Sequence, residues 1–351
     1  MYKLNRLIEL LRDWVINIDP RRFQVEAYAG SDLSPLPDSP RICIYGHYDP
    51  RGKVHEYVYT ALKALKQNGL STLFLTTSPS LAPGDIARLH EVCWFVGKRK
   101  NLGLDIGGWP SGMKLVELAL RKQNKKCSQL VITNDSIFGP LSPLSEVFAQ
   151  MSGQSLDIWG ITDSQQIKHH IQSYFLVFEN NGIDFFSNWV QDFKFSRDRI
   201  ALIEKHEVGL SQAALSFGLK MGAYIPYEKF TTYAQTHSEQ VEKTIHDRLS
   251  AKNGALNPTH AFWRESIKIF HSPFVKRDLL RDYSQFDDGG QEWPTVLASL
   301  VCDYPMACIT EYLDDYHGRS LSKPEKDALA QKYSSPPPNN RQKPPSADST
   351  R

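Results

Sequence analysis

RICIYGHYDPRGKVHEYVYTALKALKQNGLSTLFLTT, residues 41–77, reads as strand, helix and strand in close succession. The apolar runs at 41–48 and 71–77 are short and rich in β-branched and aromatic residues, as buried strands are. Between them apolar residues recur at three- and four-residue steps, which predicts a helix from about 53 to 68. The rhythm continues downstream. A short helix at 85–90 leads to CWFV at 93–96, a longer helix runs from 109 or 111 to 122, and LVITND at 130–135 is a fourth buried strand. DIWGIT at 157–162 and SYFLVF at 173–178 read as further strands, with helices near 185–193 and 208–217. Alternation of this kind predicts an α/β fold built on a largely parallel sheet.

Working outward, AGSDLSPLPDSP at 29–40 is a turn-rich linker. Before it Leu4, Leu7, Ile8, Leu11, Trp14 and Val15 fall at helical spacing, with Lys3, Arg6, Arg12, Arg21 and Arg22 nearby. That helix is expected to pack on the main domain. Membrane contact is the second reading, since Glu9 and Asp13 dilute the basic face. Beyond the sheet, 227–280 mixes helical segments with NPTHAFWRE at 257–265 and reads as a helical extension. SSPPPNNRQKPPSADSTR at 334–351 has the composition of a disordered tail. The expected organisation is an N-terminal helix and linker at 1–38, an α/β domain at 39–226, a helical extension at 227–333, and the tail.

The chain has 351 residues, 41% of them hydrophobic, enough for a sizeable core. Its 41 Lys and Arg against 39 Asp and Glu leave a net charge of +2, which argues against nucleic acid as a partner. Five cysteines without a C-x-x-C pair fit a reducing compartment. No apolar run approaches the roughly 20 residues needed to cross a bilayer, and no secretory signal core is present. A cytoplasmic location is expected.

In open α/β sheets ligands bind beyond the carboxyl ends of the strands, and four such ends here are polar. The first is GHYDPRGKV at 46–54, where Asp49 can accept hydrogen bonds from a base or ribose and Lys53 can favour phosphate; an ordinary Asp-Pro turn is the plainer alternative. The second is KRKNLGLDIGGW at 98–109. Its cations Lys98, Arg99 and Lys100 suit a diphosphate and its glycines suit close backbone approach, though a solvated charge run and an empty glycine-rich helix start would look similar. The third is VITNDSIFGPL at 131–141. A carboxylate ending a buried strand is costly unless it works, so Asp135 is read as a divalent-cation ligand with Asn134 and Ser136 as neutral oxygen donors. The fourth is EKHEVGLSQAAL at 204–215, with Glu207 at a helix start, where a glutamate is also simply favourable to the helix dipole.

In this order the four stretches resemble the rhamnan synthesis protein F family. The resemblance covers about residues 41–281 and rests on YGHYDPRGKVHEYV, LFLTTS, KNLGLDIGGW, VITNDSIFGPL, LDIWGITDS, HHIQSYFLVF, HEVGLS, NPTHAFWRESI and SPFVKRDLLR. It implies a GT-A-like, nucleotide-binding mixed sheet flanked by helices, with an acceptor side built from the later half of the chain. Residue by residue, it implies that His47 and Asp49 with their turn, Lys53, Asn101, Gly103, Asp105, Asn134 and Asp135 form the donor side. Asp135 stands where GT-A enzymes carry Asp-x-Asp, but Asn134-Asp135-Ser136 offers one carboxylate instead of two. A manganese or magnesium ion is the cofactor this implies.

By the same resemblance HEVGL matches the Glu-Asp-x-x-Leu segment of inverting enzymes, which makes Glu207 the catalytic base. Trp159, Gln172 and Tyr174 fall at acceptor-side positions, although a strand tryptophan is more often buried. His206 and His260 have no spacing that demands a metal. The expected function is sugar transfer, with dTDP-rhamnose favoured as donor, onto a glycan or lipid-linked acceptor at the inner face of the cytoplasmic membrane beside other polysaccharide-assembly transferases. The competing reading is a carbohydrate-binding or scaffolding module without catalysis. A dehydrogenase or nucleotidyltransferase would need a phosphate fingerprint that is missing.

Overall fold

Strand β2 (Arg41–His47) divides its side chains between two cores: Cys43 and Tyr45 pack on one face of the sheet, Ile42 and Ile44 on the other. A strand apolar on both faces belongs in the middle of a sheet covered by helices on both sides, and β2 lies there. The computed structural model describes residues 11–33, 35–239, 241, 245, 249, 256–281, 293–300 and 304–318. The disordered tail expected at 334–351 and the first part of the N-terminal helix, with Leu4, Leu7 and Ile8, lie outside the described residues.

The other strands are β1 (Val25–Ala27), β3 (Leu70–Thr76), β4 (Phe95–Arg99), β5 (Gln129–Asn134), β6 (Ile137–Phe138), β7 (Ile158–Ser164), β8 (His170–Ile171), β9 (Phe175–Phe178), β10 (Met221–Ile225) and β11 (Val275–Lys276). The main sheet runs β1-β4-β3-β2-β5-β9-β7-β10. Strands β4, β3, β2 and β5 are mutually parallel, β9 is antiparallel to both β5 and β7, and β7 is parallel to β10. The result is the expected mixed α/β sheet flanked by helices, with six strands whose carboxyl ends share one edge.

Helix α1 spans residues 11–18, followed by α2 (Glu56–Gln67), α3 (Pro83–Val92), α4 (Gly108–Gln123), α5 (Leu144–Ser152) and α6 (Asn181–Gln191). Helices α2, α3 and α5 bury Tyr57, Val58, Leu62, Leu89, Val147 and Phe148 on the face of Cys43 and Tyr45. Helices α4 and α6 bury Met113, Val116, Phe186 and Val190 on the other. From β2 the chain moves outward through α2 to β3 and β4, then returns through α4 on the opposite face to β5, immediately beside β2. Connections leaving two neighbouring strands toward opposite faces open a crevice at their carboxyl ends. That crevice lies between His47 and Asn134.

Two elements depart from the sequence reading. Residues 25–27, expected within a helix-and-linker segment, add β1 antiparallel to β4; three residues are too few to show alternation. The helix expected near 208–217 begins earlier, at α7 (Arg199–Leu202), whose N-terminus Asp198 caps through its side chain. It continues through a π-helical turn, Ile203–Val208, into α8 (Gly209–Ser216). Glu207 therefore sits inside a helix and not at its start. The helical extension after residue 226 packs on the domain: Phe230 of α9 (Tyr227–Thr236), Phe262, Trp263 and Leu279 lie in the same core as Tyr57 and Phe74. Its strand β11 pairs antiparallel with β6.

Candidate functional site at the strand-end crevice

Asp135 follows β5 directly, and its backbone N–H donates to the Gly46 carbonyl of β2 at 3.1 Å. Its carboxylate accepts the Tyr48 N–H at 3.2 Å and forms a 3.0 Å ion pair with Arg277, both through Oδ2. The Arg277 guanidinium also donates to the Tyr57 hydroxyl at 2.7 Å, and that hydroxyl donates to the Asp135 carbonyl at 3.1 Å. Burial, the largest single effect, works against the arginine charge, but Asp135, Tyr57 and Tyr312 together outweigh it, and Arg277 is held more firmly protonated than usual. Sequence reasoning saw SPFVKRDLLR as a matching block without assigning Arg277 a role. Its backbone N–H donates to the Ser136 carbonyl, so the pairing of β11 with β6 delivers it to the crevice.

Asn134 joins the next loop to the same place. Its amide donates to the Asp105 carboxylate at 2.5 Å, while its carbonyl oxygen accepts from the Ser136 backbone and hydroxyl. Asp105 and Asn101 are exposed on that loop. The loop itself is folded around Arg99, which donates to the carbonyls of Lys100, Leu102 and Leu104. Burial brings the Arg99 guanidinium down to about 10, partly offset by Asp105. Lys98 donates to the Pro79 carbonyl and Lys100 pairs with Asp19 at 3.4 Å. Arg99 is thus buried in the protein's own polar groups, while Lys98 and Lys100 have internal partners at the surface. The glycines are likewise used internally. Gly103 adopts a φ of +69°, and a Cβ on Gly107 would meet the Leu102 carbonyl oxygen at 1.9 Å.

Two donor-side expectations meet a different arrangement at the first turn. Asp49 accepts the backbone N–H groups of Arg51 and Lys53 at 2.8 and 3.2 Å, and His55 lies 3.5 Å from its other oxygen. Burial pushes this carboxyl up, yet those hydrogen bonds outweigh it and leave it well below the ordinary range. Lys53 pairs with Asp315 at 3.0 Å, as does Arg51 at 2.8 Å, so the helix Ala307–His317 clamps the turn. Asp49 builds the turn and Lys53 fastens it. His47 is buried, shares a 3.0 Å hydrogen bond with Thr76, and is held below its ordinary pKa chiefly by burial. The first turn reaches the crevice through the backbone N–H of Tyr48, a residue of the expected turn that is 46% exposed.

The acceptor-side residues form a second group. Glu207 accepts the Ser173 N–H at 2.8 Å, Thr162 bonds both Gln172 at 2.7 Å and the Tyr174 hydroxyl at 2.8 Å, and Gln172 donates to Asn257 at 3.1 Å. A π turn widens the helix at Glu207, a feature frequent at functional positions. Trp159 does not belong to this group. It is 1% exposed, packs edge-on to Phe148, and gives its indole N–H to Glu179, so it has no face to offer a sugar. The Lys276 ammonium lies 4.8 Å from the centre of the Tyr174 ring, and with Ile137, Thr259 and Ser266 both residues line a recess. Lys276 and Arg277 therefore stand between the Asp135 group and the Glu207 group.

A divalent cation needs several hard oxygen donors. Asp135 already faces a guanidinium, Asp105 is bonded to Asn134, and among the described residues no three His, Cys, Asp or Glu side chains converge as a metal set. Toward the manganese or magnesium ion expected at Asp135 the described residues thus offer a single carboxylate, already paired with Arg277.

The chain is 29% identical over 230 residues to the virulence protein VirA of Vibrio anguillarum, covering 60% of this chain and 69% of that protein. It is 26% identical over 225 residues to the uncharacterized protein y4gN of Sinorhizobium fredii, covering 62% and 56%. Among solved structures it is similar, at a TM-score of 0.34 and 11% identity over 93% of this chain and 92% of the other, to the mannosyltransferase PcManGT of Pyrobaculum calidifontis in complex with GDP-Man and Mn2+. The family described as rhamnan synthesis protein F matches residues 73–250. That match takes in β3 to α9 and just over half of the chain, and the protein belongs to the rhamnan synthesis protein F family.

Proposed function

We propose that this protein is a glycosyltransferase of polysaccharide synthesis, moving a sugar from a nucleotide-activated donor onto a glycan or lipid-linked acceptor. The observation that carries the reading is the crevice between β2 and β5, where Tyr48, Asp105 and Asn134 meet the Asp135–Arg277 pair. The family membership supports it. A nucleoside diphosphate fits such a place: an exposed tyrosine and amide or carboxylate groups for the nucleoside, and a cation for the phosphates. Because the family is described by rhamnan synthesis, we favour dTDP-rhamnose as donor.

In this reading Glu207 removes the proton from the acceptor hydroxyl as its oxygen attacks the anomeric carbon, and a single displacement inverts that centre. Gln172 and Tyr174, fixed by Thr162 and Asn257, shape the acceptor side. A thermal-shift screen against nucleoside diphosphates and their sugars tests the donor assignment, since selective binding stabilises the native state. Stabilisation by one nucleotide supports it. No shift with any of them favours a carbohydrate-binding module without catalysis.

Peripheral contact with the inner face of the cytoplasmic membrane, where lipid-linked acceptors and partner transferases would be met, is favoured by one observation. Leu11, Trp14, Val15 and Ile18 of α1 are exposed, Trp14 by 61%, beside Arg12, Arg21 and Arg22. Among the described residues no helix is long and apolar enough to cross a bilayer.

A further inference from the structure

Arg277 is an unusual expenditure of charge for a protein interior. Its side chain is 16% exposed, and one nitrogen, Nη1, makes both of its bonds, to Asp135 and to the Tyr57 hydroxyl. The Tyr312 ring lies 5.5 Å from the guanidinium carbon. A guanidinium offers five N–H donors in a fixed fork, and neither Nη2 nor Nε finds an acceptor among the described residues. Lys276, the preceding residue, is half-buried over Tyr174 and forms no salt bridge among the described residues. Two adjacent cations with unused donors thus stand at the crevice, beside the one carboxylate that would otherwise have served a metal.

We propose that Arg277, with Lys276 beside it, is the cation that binds the donor diphosphate and steadies it on departure, in place of a divalent metal ion. The inference rests on the glycosyltransferase reading. In the transfer step the acceptor oxygen forms its bond to the anomeric carbon, and its proton passes to the Glu207 carboxylate. The bond from the anomeric carbon to the diphosphate oxygen breaks, and the electron pair leaves with the diphosphate. The added negative charge is met by the open N–H groups of Arg277, which a fixed and partly desolvated site makes more effective than a solvated side chain. Asp135 then has a positioning role: it orients the guanidinium and balances its charge when no donor is bound. This assigns a use to the single carboxylate of Asn134-Asp135-Ser136.

The test is calorimetric titration of the full-length protein with dTDP, UDP and GDP, in buffer containing EDTA and again with manganese. The proposal expects one nucleotide to bind equally well in both buffers. It expects Arg277→Gln to weaken that binding by about tenfold or more, with no recovery on adding manganese, and Arg277→Lys to retain part of it. Should loss of the buried ion pair impair folding of the Arg277 variants, Lys276→Gln and the wild-type comparison of buffers still decide. Wild-type binding that requires manganese overturns the proposal and leaves the glycosyltransferase reading intact. Failure of every nucleotide to bind in either buffer overturns both.

Discussion

The backbone N–H of Ser173 donates to Glu207 Oε1 at 2.8 Å, joining the π turn of one helix to the loop between β8 and β9. The bond uses one carboxylate oxygen, and Oε2, without a partner among the described residues, is the atom that would take the acceptor proton in the proposed transfer. Glutamine at this position keeps an oxygen for Ser173 but cannot act as a base. Glu207→Gln is expected to lower turnover by at least about 10²-fold while leaving nucleotide affinity and melting temperature unchanged. Steady-state kinetics beside calorimetry checks this, and turnover within a few-fold of wild type removes Glu207 from the role.

Acid sensitivity follows from a different residue of the same turn. His206 stacks on Phe193 with ring centroids 3.9 Å apart and donates from Nε2 to the Lys194 carbonyl at 2.8 Å. Burial is the main cause that brings its pKa down to about 4 from an ordinary 6.5. The unfolded chain therefore takes up this proton before the folded one does. The stability tied to neutral His206 is complete above about pH 6.5 and is lost as the pH falls toward 4. Between pH 7.5 and 5 the loss should be roughly 2 kcal/mol. His206→Gln, whose amide can reproduce the Nε2 donor, should flatten that limb in urea unfolding measured at the two pH values.

Close packing of α4 on β2 depends on Gly112. A Cβ there would stand 2.6 Å from Ile44 Cγ2 and 2.9 Å from Ile44 Cδ1. Alanine gains about 1 kcal/mol of helix propensity over glycine, but the clash is with the β-branched Ile44 side chain of a central strand held on both sides, which leaves little room to relax. Gly112→Ala is expected to cost a net of about 1–2 kcal/mol, and adding Ile44→Ala should recover part of it in a double-mutant cycle.

The exposed face of α1 makes a prediction separable from catalysis. Leu11→Ser with Trp14→Ser should leave the melting temperature and nucleotide binding unchanged, because both side chains are exposed. Co-sedimentation with vesicles containing anionic phospholipid should drop. Equal sedimentation of variant and wild type would remove membrane contact from the account.

Most of the sheet is legible in the sequence because its strands are fully buried and read as continuous apolar runs: 41–48, 71–77 and 130–135 match β2, β3 and β5 to within a residue or two. What escapes is short or half-exposed. β10 is half-exposed at Met221, Gly222 and Tyr224, and α5 lies close behind Pro140 and Pro143. At the crevice, the polar strand ends identify where Asp105, Asn134 and Asp135 meet. They do not reveal which polar residues also have partners within the fold, as Asp49, Lys53 and Arg99 have. That information lies in long-range contacts. Arg277 reaches Asp135 across more than a hundred residues, and no local spacing announces it.

The central claim is that this crevice binds and spends a nucleotide sugar. The most direct measurement is release of nucleoside diphosphate from dTDP-, UDP- and GDP-sugars by the wild-type protein and by Glu207→Gln, with a lipid-linked glycan as acceptor. The account predicts that one sugar nucleotide is consumed by the wild type, and that the variant binds it equally well without consuming it. Consumption of none, with no sugar nucleotide bound by either protein, would contradict it.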